Sequence, residues 1–466
     1  MKLEFHGAAG EVTGSLHRLV VGDTSIGIDC GLVQGRRAES NARNRRLPAW
    51  ANTAHAWLLS HAHLDHSGNL PTLVKQGFTG NIYATPATRD LCGVMLRDSA
   101  MVQEQDARYL NRKAEREGTD QHVTPLYNVA DADRAINQMI ALPLRRTLTV
   151  APGVSLTFFE AGHVLGSALV CLDVEEAGRR RRLLFTGDLG REELPLLNPP
   201  EHVPGVNVLL TESTYGDRLH GPLSALDDTL AQVVTRTVKR GGRVFIPAFA
   251  LERAQEVLFA LSRLLAAKQM PAVPIYIDSP LAIAITEIYK LHPESLDPAL
   301  RQRLSGDDDP FAPPGLHYVS TADQSRALQS SGKPCIIIAG SGMCEGGRIL
   351  HHLNHGLGDA RNTVAIVGFQ AQHTLGRRLA ERRSTVRVFG MERDVRAEVV
   401  LLDGLSAHAD QAGLVAFAQA CRQAGELSQV ALVHGEPEAA QGLSQALQAQ
   451  GFGNVVVASP GAGIEL

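Results

Sequence analysis

Cysteine and long apolar runs are both scarce in this chain of 466 residues. Its six cysteines include no CxxC pair, which is typical of reduced thiols and not of a disulfide framework or a thiolate zinc finger. No stretch approaches the roughly 18 consecutive apolar residues of a membrane span. The amino terminus has no basic cap and apolar run of the kind that marks a signal peptide. We therefore expect a cytoplasmic protein in which nitrogen and oxygen ligands must hold any metal.

A net positive charge is also missing, since 45 Lys and Arg stand against 49 Asp and Glu, for a formal net charge of −4. Nucleic-acid binding usually leaves a basic footprint. Arginine pairs do occur, for example at Arg377-Arg378, but each by itself is more often a solvated surface. Overall charge therefore neither supports nor excludes RNA as a partner.

The sequence changes in character along its length, which is too great for one hydrophobic core. Up to residue 212, short strands such as VSLTFFE dominate. Over 213–380, buried strands run into amphipathic helices, as in PCIIIAGSGMCEGGRILHHL, a pattern typical of a mainly parallel sheet with covering helices. Short strands return over 381–466. The pattern predicts an α/β unit over 213–380, inserted into a strand-rich domain made of 1–212 and 381–466.

The segment SHAHLDHSG, which directly follows the apolar strand AWLLS, concentrates metal-binding side chains. In an extended segment His61 and His63 point to the same side, because side chains alternate with a period of two. Asp65 and His66 belong to the following turn. An exposed histidine-rich loop is the alternative, but the apolar strand before it argues against exposure. Buried groups of this kind need partners, so we interpret the segment as a metal site.

Further candidate ligands follow other apolar strands, each on a turn that contains glycine. They are His163 in EAGHVLGS, Asp188 in FTGDLG and His434 in VHGE. Singly, each is more often an ordinary hydrogen-bonded residue at a strand end; together they repeat one design. Asp29 in GIDCG follows the same design, and we expect it to orient a ligand histidine.

These residues resemble a known motif. SHAHLDHSG with His163, Asp188 and Asp29 is similar to the metal motif of the metallo-β-lactamase fold. The later segments resemble the β-CASP nuclease branch of that fold, in the right order over nearly the whole chain; they are TESTYGD, IPAFALERAQE, IDSPLA, SGMCEGGR, FQAQHTLGR, LSAHAD and VHGE. The resemblance implies an α/β fold: a metallo-β-lactamase αββα sandwich with an inserted β-CASP domain, built on a mainly parallel sheet with flanking helices.

The same resemblance implies two zinc ions. One would be held by His61, His63 and His163, the other by Asp65, His66 and His434, with Asp188 bridging both. Zinc accepts imidazole and carboxylate ligands, although ligand type alone leaves manganese and iron open. Two ions about 3.5–4 Å apart activate a water and stabilise charge on a phosphoryl oxygen. Asp65 is therefore counted among the catalytic residues as well as the ligands.

The resemblance also assigns a catalytic acid and the residue that positions it. His408 in LSAHAD would donate a proton to the departing ribose oxygen, as imidazoles do near neutral pH, with Glu212 positioning it. Taken alone, each of the two is equally well read as a helix cap or a strand-end polar group.

The predicted RNA-contacting residues are Gly342, Gly346 and Arg348 in SGMCEGGR, and Thr374 and Arg377 in FQAQHTLGR. Backbone N–H groups at a helix start suit a phosphate, but close packing of strand and helix explains the glycines equally well. His373 stands where the family usually has glycine.

The residue at the VHGE position predicts the kind of nucleic acid on which the protein acts. Histidine at the VHGE position goes with RNA-acting family members, so His434 favours a ribonuclease that uses single-stranded RNA in the cleft between the two domains. We expect an endonuclease with additional exonuclease activity, in RNA processing or decay. Since the chain ends at Leu466, it resembles compact bacterial relatives of the nuclease subunit of the cleavage and polyadenylation machinery. The sequence leaves the choice between a monomer and a homodimer open.

Two other classes of protein compete with this interpretation. A small-molecule hydrolase, such as a thioesterase or lactonase, would share the metals but would have no use for the inserted unit or for a pair formed by His408 and Glu212. A non-catalytic RNA-binding scaffold would be expected to have lost several ligands, and this chain keeps them all.

Overall fold

The computed structural model describes residues 1–35, 37–119, 122–221, 224–306, 309–368, 370–402 and 406–466. Two residues of the motifs quoted above, Phe369 and Leu405, lie outside the described residues. The chain divides into two compact units. Unit 1 comprises Met1–Leu219 and Ala407–Leu466, and unit 2 comprises His220–Ser406.

The strands follow one another along the chain as β1 (Lys2–Gly7), β2 (Leu16–Val21), β3 (Thr24–Ile28), β4 (Ala56–Leu58), β5 (Asn81–Ala84), β6 (Met139–Ala141), β7 (Thr147–Ala151), β8 (Val154–Glu160), β9 (Ala168–Glu176), β10 (Arg179–Phe185), β11 (Val208–Glu212), β12 (Val244–Pro247), β13 (Ile275–Ile277), β14 (Leu316–Tyr318), β15 (Ile336–Ala339), β16 (Thr363–Val367), β17 (Thr385–Val388), β18 (Met391–Asp394), β19 (Glu398–Leu402), β20 (Gln429–Val433), β21 (Val455–Val457) and β22 (Gly463–Glu465).

The α-helices are α1 (Arg37–Asn44), α2 (Leu64–Ser67), α3 (Leu70–Lys75), α4 (Pro86–Glu117), α5 (Val129–Asn137), α6 (Ser224–Lys239), α7 (Arg253–Ala266), α8 (Pro280–Leu291), α9 (Pro298–Leu304), α10 (Ala322–Ser330), α11 (Ile349–Gly356), α12 (Leu375–Ala380), α13 (Gln411–Gln423) and α14 (Pro437–Ala449). Short 3₁₀ turns lie at Ala51–Thr53 and Pro293–Ser295.

Unit 1 is built on two seven-stranded sheets, ordered β22-β1-β2-β3-β4-β5-β6 and β21-β20-β11-β10-β9-β8-β7. Alternate side chains of facing strands, such as Phe5 and Phe185, pack between the sheets in one apolar core. The outer face of the second sheet packs against α13 and α14 through Phe417 and Leu443, and α4 lies against β6 of the first sheet. This arrangement confirms the predicted αββα sandwich.

Unit 2 contains a six-stranded parallel sheet, ordered β14-β13-β15-β12-β16-β19, and the hairpin β17–β18. Val244 and Ile246 of β12 pack with one apolar cluster, and Phe245 between them packs with another on the opposite face. Helices therefore cover both faces, which explains the uninterrupted apolar runs in the sequence.

The inserted unit extends further along the chain than the sequence pattern predicts. Its bounds are His220–Ser406, where 213–380 is expected from the sequence. The strands after residue 380 look like a return to the first domain, but β19 pairs with β16 inside the parallel sheet of unit 2. Only the last strands, from β20 onwards, rejoin unit 1.

The six cysteines are all buried and none forms a disulfide, as the scattered spacing predicts. Across the described ranges, every helix is too short or too polar to cross a membrane.

Candidate metal centre and catalytic site

The candidate ligands meet at one edge of each sheet of unit 1. Strand β4 runs parallel to β3, β11 runs parallel to both β10 and β20, and β8 has the same direction as β10 because both are antiparallel to β9. Within each sheet, the carboxyl ends of these strands therefore lie at the same edge, and the residues that follow them can converge. Those residues are Asp29, His61, His63, Asp65, His66, His163, Asp188 and His434.

One group of donors consists of His61, His63, His163 and Asp188. Nδ1 of His63 lies 3.1 Å from Nε2 of His61 and 3.3 Å from Nε2 of His163. Oδ2 of Asp188 lies 3.5 Å from Nε2 of His61 and 3.4 Å from Nε2 of His163. These atoms surround a common point.

A second group consists of Asp65, His66 and His434. The Nε2 atoms of His66 and His434 lie 3.1 Å apart, and Nε2 of His434 lies 3.6 Å from Oδ2 of Asp65. Oδ1 of Asp188 lies 3.3 Å from Nε2 of His66 and 3.4 Å from Nδ1 of His434. Asp188 thus turns one carboxylate oxygen to each group.

The residues fit metal ions on geometric grounds. Zinc–nitrogen bonds of about 2.0–2.1 Å at tetrahedral angles place neighbouring donors roughly 3.3 Å apart, which is the spacing seen in both groups. Oδ1 of Asp188 is buried and accepts no hydrogen bond within the described part of the chain. A buried carboxylate oxygen without a donor is costly, and a cation at this point would compensate it.

Protonation in the first group also suits a metal. Burial lowers the pKa of His61 well below its usual value and the pKa of His63 to about 4, so both rings are neutral at physiological pH. Burial works against the carboxylate form of Asp188, but His434 and His66 outweigh it and hold the pKa of Asp188 well below its usual range. Neutral imidazoles and an ionised carboxylate are the forms that bind metals.

Asp29 holds His66 in place from behind. Nδ1 of His66 donates to Oδ2 of Asp29 at 2.6 Å, and the backbone N–H of Ser60 donates to Oδ1 at 2.8 Å. The hydroxyl groups of Ser60 and Ser15 also donate to Oδ2. Burial opposes a charged His66, yet Asp188 and Asp29 raise the pKa of His66 well above its usual value, so a metal at this ring must displace a tightly held proton.

The predicted acid and its partner lie together. Nδ1 of His408 lies 2.9 Å and 3.0 Å from the two carboxylate oxygens of Glu212, which also accepts the backbone N–H of Leu189 at 2.6 Å. Nε2 of His408 faces the metal ligands, 3.9 Å from Oδ2 of Asp188. Glu212 is fully buried, whereas the His408 side chain is 20% exposed, so this ring can meet a substrate.

Sequence reasoning did not single out several neighbours of the site. The hydroxyl of Thr214 lies 3.1 Å from Nδ1 of His434 and donates to the carbonyl of His434. The ring of Tyr215 lies 6.0 Å from the ring of His408. Asp29 and His434 have φ values of 54° and 48°, in the left-handed region that strained functional residues often occupy. Thr214 and Tyr215 belong to the TESTYGD motif, and Ser60, which holds Asp29, belongs to the SHAHLDHSG motif. Their place in these motifs was the one sign of them in the sequence.

The five residues predicted to contact RNA all lie in unit 2. Arg348 is held by the carboxylate of Asp278 and by the carbonyls of Val319 and Ser320. A side chain on Gly342 would overlap the ring of Phe249, whereas Gly346 faces open space.

The remaining two lie at the start of α12. Thr374 accepts the backbone N–H of Arg377, whose side chain pairs with Glu381. His373 has a φ of 69°, a conformation that glycine adopts without strain, which explains why glycine suits this position.

Three family models cover most of the chain. Residues 28–232 match the metallo-beta-lactamase superfamily, 254–379 match the Beta-Casp domain, and 392–458 match the Zn-dependent metallo-hydrolase RNA specificity domain.

Curated proteins also match most of this chain, and they are named as a ribonuclease and as transcription termination factors. Ribonuclease TTHA0252 of Thermus thermophilus is 37% identical over 452 residues, which are 97% of each chain. The transcription termination factor FttA of Pyrococcus abyssi is 34% identical over 82% of this chain and 57% of its own length. FttA of Methanosarcina mazei is 30% identical over 95% of this chain and 68% of its own length.

Among solved structures, a protein of unknown function from Enterococcus faecalis V583 superposes with a TM-score of 0.55 at 14% identity, over 100% of this chain and 99% of that one. This likeness concerns the fold alone. Together with the histidine and carboxylate cluster, the matches place the chain in the β-CASP ribonuclease family of the metallo-β-lactamase superfamily, as a metal-dependent hydrolase.

Proposed function

We propose that this protein is a zinc-dependent ribonuclease with a dinuclear centre, in which the two groups of ligands hold one ion each. The position of Asp188 carries the proposal, because its two oxygens face different ligand groups at 3.3–3.5 Å. When bound, two zinc ions lower the pKa of a water and neutralise charge on a phosphoryl oxygen.

The side chains supply the rest of the chemistry. His408 donates a proton from Nε2 to the departing ribose oxygen, while Glu212 fixes the ring through Nδ1. Asp65, whose side chain is 22% exposed, accepts a hydrogen bond from the attacking water. Asp29 orients His66. In unit 2, we expect Gly342, Gly346, Arg348, Thr374 and Arg377 to contact the RNA backbone.

RNA is the proposed substrate for two reasons. His434 occupies the VHGE position, where RNA-acting relatives have histidine, and the relative that matches 97% of the chain is named a ribonuclease. We propose endonucleolytic cleavage of single-stranded RNA with additional exonuclease activity, in cytoplasmic RNA processing or decay.

A small-molecule hydrolase of the same fold is the alternative. It would use the same ligands, but a thioester or lactone needs no acid for a departing ribose oxygen. The buried carboxylate that holds His408 at 2.9 Å therefore favours the nuclease.

Cleavage of a labelled single-stranded RNA by the wild type and by His63→Ala tests the proposal. We expect His63→Ala to abolish cleavage and leave the protein folded, because it removes the central donor of the first group. His122→Ala, a change at an exposed histidine outside the site, serves as the matched control and should cleave normally. Undiminished cleavage by His63→Ala would exclude the proposed centre.

A further inference from the structure

Two residues beside the proposed acid have no role so far. Tyr215 follows Glu212 closely in the chain, and its ring centre lies 6.0 Å from that of His408 at an interplanar angle of 48°. The guanidinium carbon of Arg218 lies 5.2 Å from the centre of the Tyr215 ring. The Arg218 side chain is 52% exposed, and Tyr215 is half-buried. An aromatic ring and a planar cation therefore line the surface next to His408.

The loop that carries this pair is tied to the loop that carries His408. Gln411 donates its backbone N–H to the carbonyl of Arg218 at 3.1 Å and its side-chain amide to the carbonyl of Gly216 at 2.6 Å. A Cβ on Gly216 would overlap the carbonyl oxygen of Ala439, so α14 closes the loop from the other side. These contacts fix the distance between the ring of His408 and the ring of Tyr215.

The reaction places one nucleotide next to this pair. The acid must approach the ribose oxygen that departs, so the departing nucleotide lies against His408. Its base is then within reach of the next ring along the surface, which belongs to Tyr215. Proteins bind unpaired bases by stacking them on aromatic rings and on arginine planes.

Charge alone does not explain the pair. Asp217 accepts a hydrogen bond from Nε of Arg218 at 3.0 Å, which offsets part of the positive charge and restrains the orientation of the guanidinium group next to the ring. A stacking surface benefits from that orientation, whereas a simple phosphate clamp would be weakened by the carboxylate.

We propose that Tyr215 and Arg218 form a base-stacking subsite for the nucleotide whose ribose oxygen His408 protonates. The subsite rests on the proposed ribonuclease function and names the part of the RNA that it holds. Every base has a π face, so the subsite accepts all four bases.

A cycle that combines protein variants with an abasic RNA tests the subsite. Two single-stranded RNAs of the same sequence are compared, one of which lacks the base at a single nucleotide, and cleavage is quantified at each linkage. For the wild type, loss of the base should raise KM about 10- to 100-fold at the one linkage whose departing nucleotide is abasic. Tyr215→Ala should raise KM by a similar factor on the complete RNA and should no longer respond to the missing base.

Conservative variants separate stacking from support of His408. Tyr215→Phe keeps the ring and should behave like the wild type, while Arg218→Lys keeps the charge but loses the plane and should resemble a mild form of Tyr215→Ala. Cleavage at the abasic linkage, which offers no base to stack, should match that of the wild type in all three variants. Tyr109→Ala, at an exposed aromatic residue of α4, is the control for surface aromatics.

The outcomes distinguish the two proposals. The subsite is overturned if the wild type and Tyr215→Ala are equally sensitive to the missing base. It is also overturned if Tyr215→Ala has a lower kcat on every substrate, because Tyr215 would then act as a support for His408. A wild type that hydrolyses bis(p-nitrophenyl) phosphate but no RNA refutes the ribonuclease itself.

Discussion

His17 shows that a buried histidine in unit 1 can be part of the core and not a metal ligand. Its ring is fully buried between Phe5 and Phe185, and neither ring nitrogen has a hydrogen-bond partner within the described ranges. Burial, and then the nearby His66, lowers the pKa of His17 to about 3. The sequence segment LHRLVV does not indicate that its histidine is buried without hydrogen-bond partners, because this depends on how the strand packs against the rest of unit 1.

This burial makes the protein sensitive to acid. The unfolded chain binds a proton at His17 near the usual value of 6.5, but the folded protein resists protonation down to about 3. Stability must therefore fall as pH drops from 6.5 towards 3, by up to about 1.4 kcal/mol per pH unit from this residue. Urea unfolding of metal-free His17→Leu across this range should show a correspondingly smaller pH dependence. An unchanged slope, compared with exposed His122→Leu, would contradict the assignment.

The pair of His408 and Glu212 yields a second prediction for single residues. His408→Ala should slow RNA cleavage by about 10²- to 10⁴-fold, because the departing oxygen loses its proton donor. Glu212→Gln should slow it less, since the ring loses only the carboxylate that orients it. Metal analysis of both variants should show unchanged zinc. Loss of zinc from His408→Ala would mean that the acid and a ligand have been interchanged.

Among the elements, the strand ends that carry the candidate ligands were predictable from the sequence, but the hydroxyl groups that hold Asp29 were not. Polar residues on glycine turns after apolar strands marked His163, Asp188 and His434, because a strand-to-turn pattern is local. Ser15 and Ser60, which fix Asp29, come from a different hairpin and a different strand end. Pairing of β19 with β16 likewise depends on contacts that no local pattern encodes.

Gly31 shows how close these elements approach. A Cβ at this position would overlap the carbonyl oxygen of Asp65. Gly31→Ala must therefore push the segment after β3 away from the SHAHLDHSG segment, which carries four of the candidate ligands. We expect zinc affinity to fall at least about 10-fold, as when a residue that supports a ligand is lost. Gly93→Ala, which meets no neighbouring atom in α4, is the control. Competition with a zinc chelator measures both, and equal affinities would show that the loop tolerates the displacement.

For the whole molecule, the family resemblance gave the fold class and the order of motifs, but not the extent of the inserted unit. Glu212 and His408 are separated by 196 positions in the chain, and His66 and His434 by 368, yet all four lie in unit 1. The insertion therefore leaves the site of unit 1 complete. A net charge of −4 is compatible with this, because the ligands are buried and the charge of the whole chain says little about them.

The most direct test of the account combines metal analysis with cleavage on one purified sample. End-labelled single-stranded RNA and DNA of matched sequence are incubated with the protein before chelation, after chelation and after zinc is restored. We predict two zinc ions per chain and an internal cleavage ladder on RNA alone, lost on chelation and regained with zinc. RNA cleavage that continues in a verified metal-free sample would contradict the central claim.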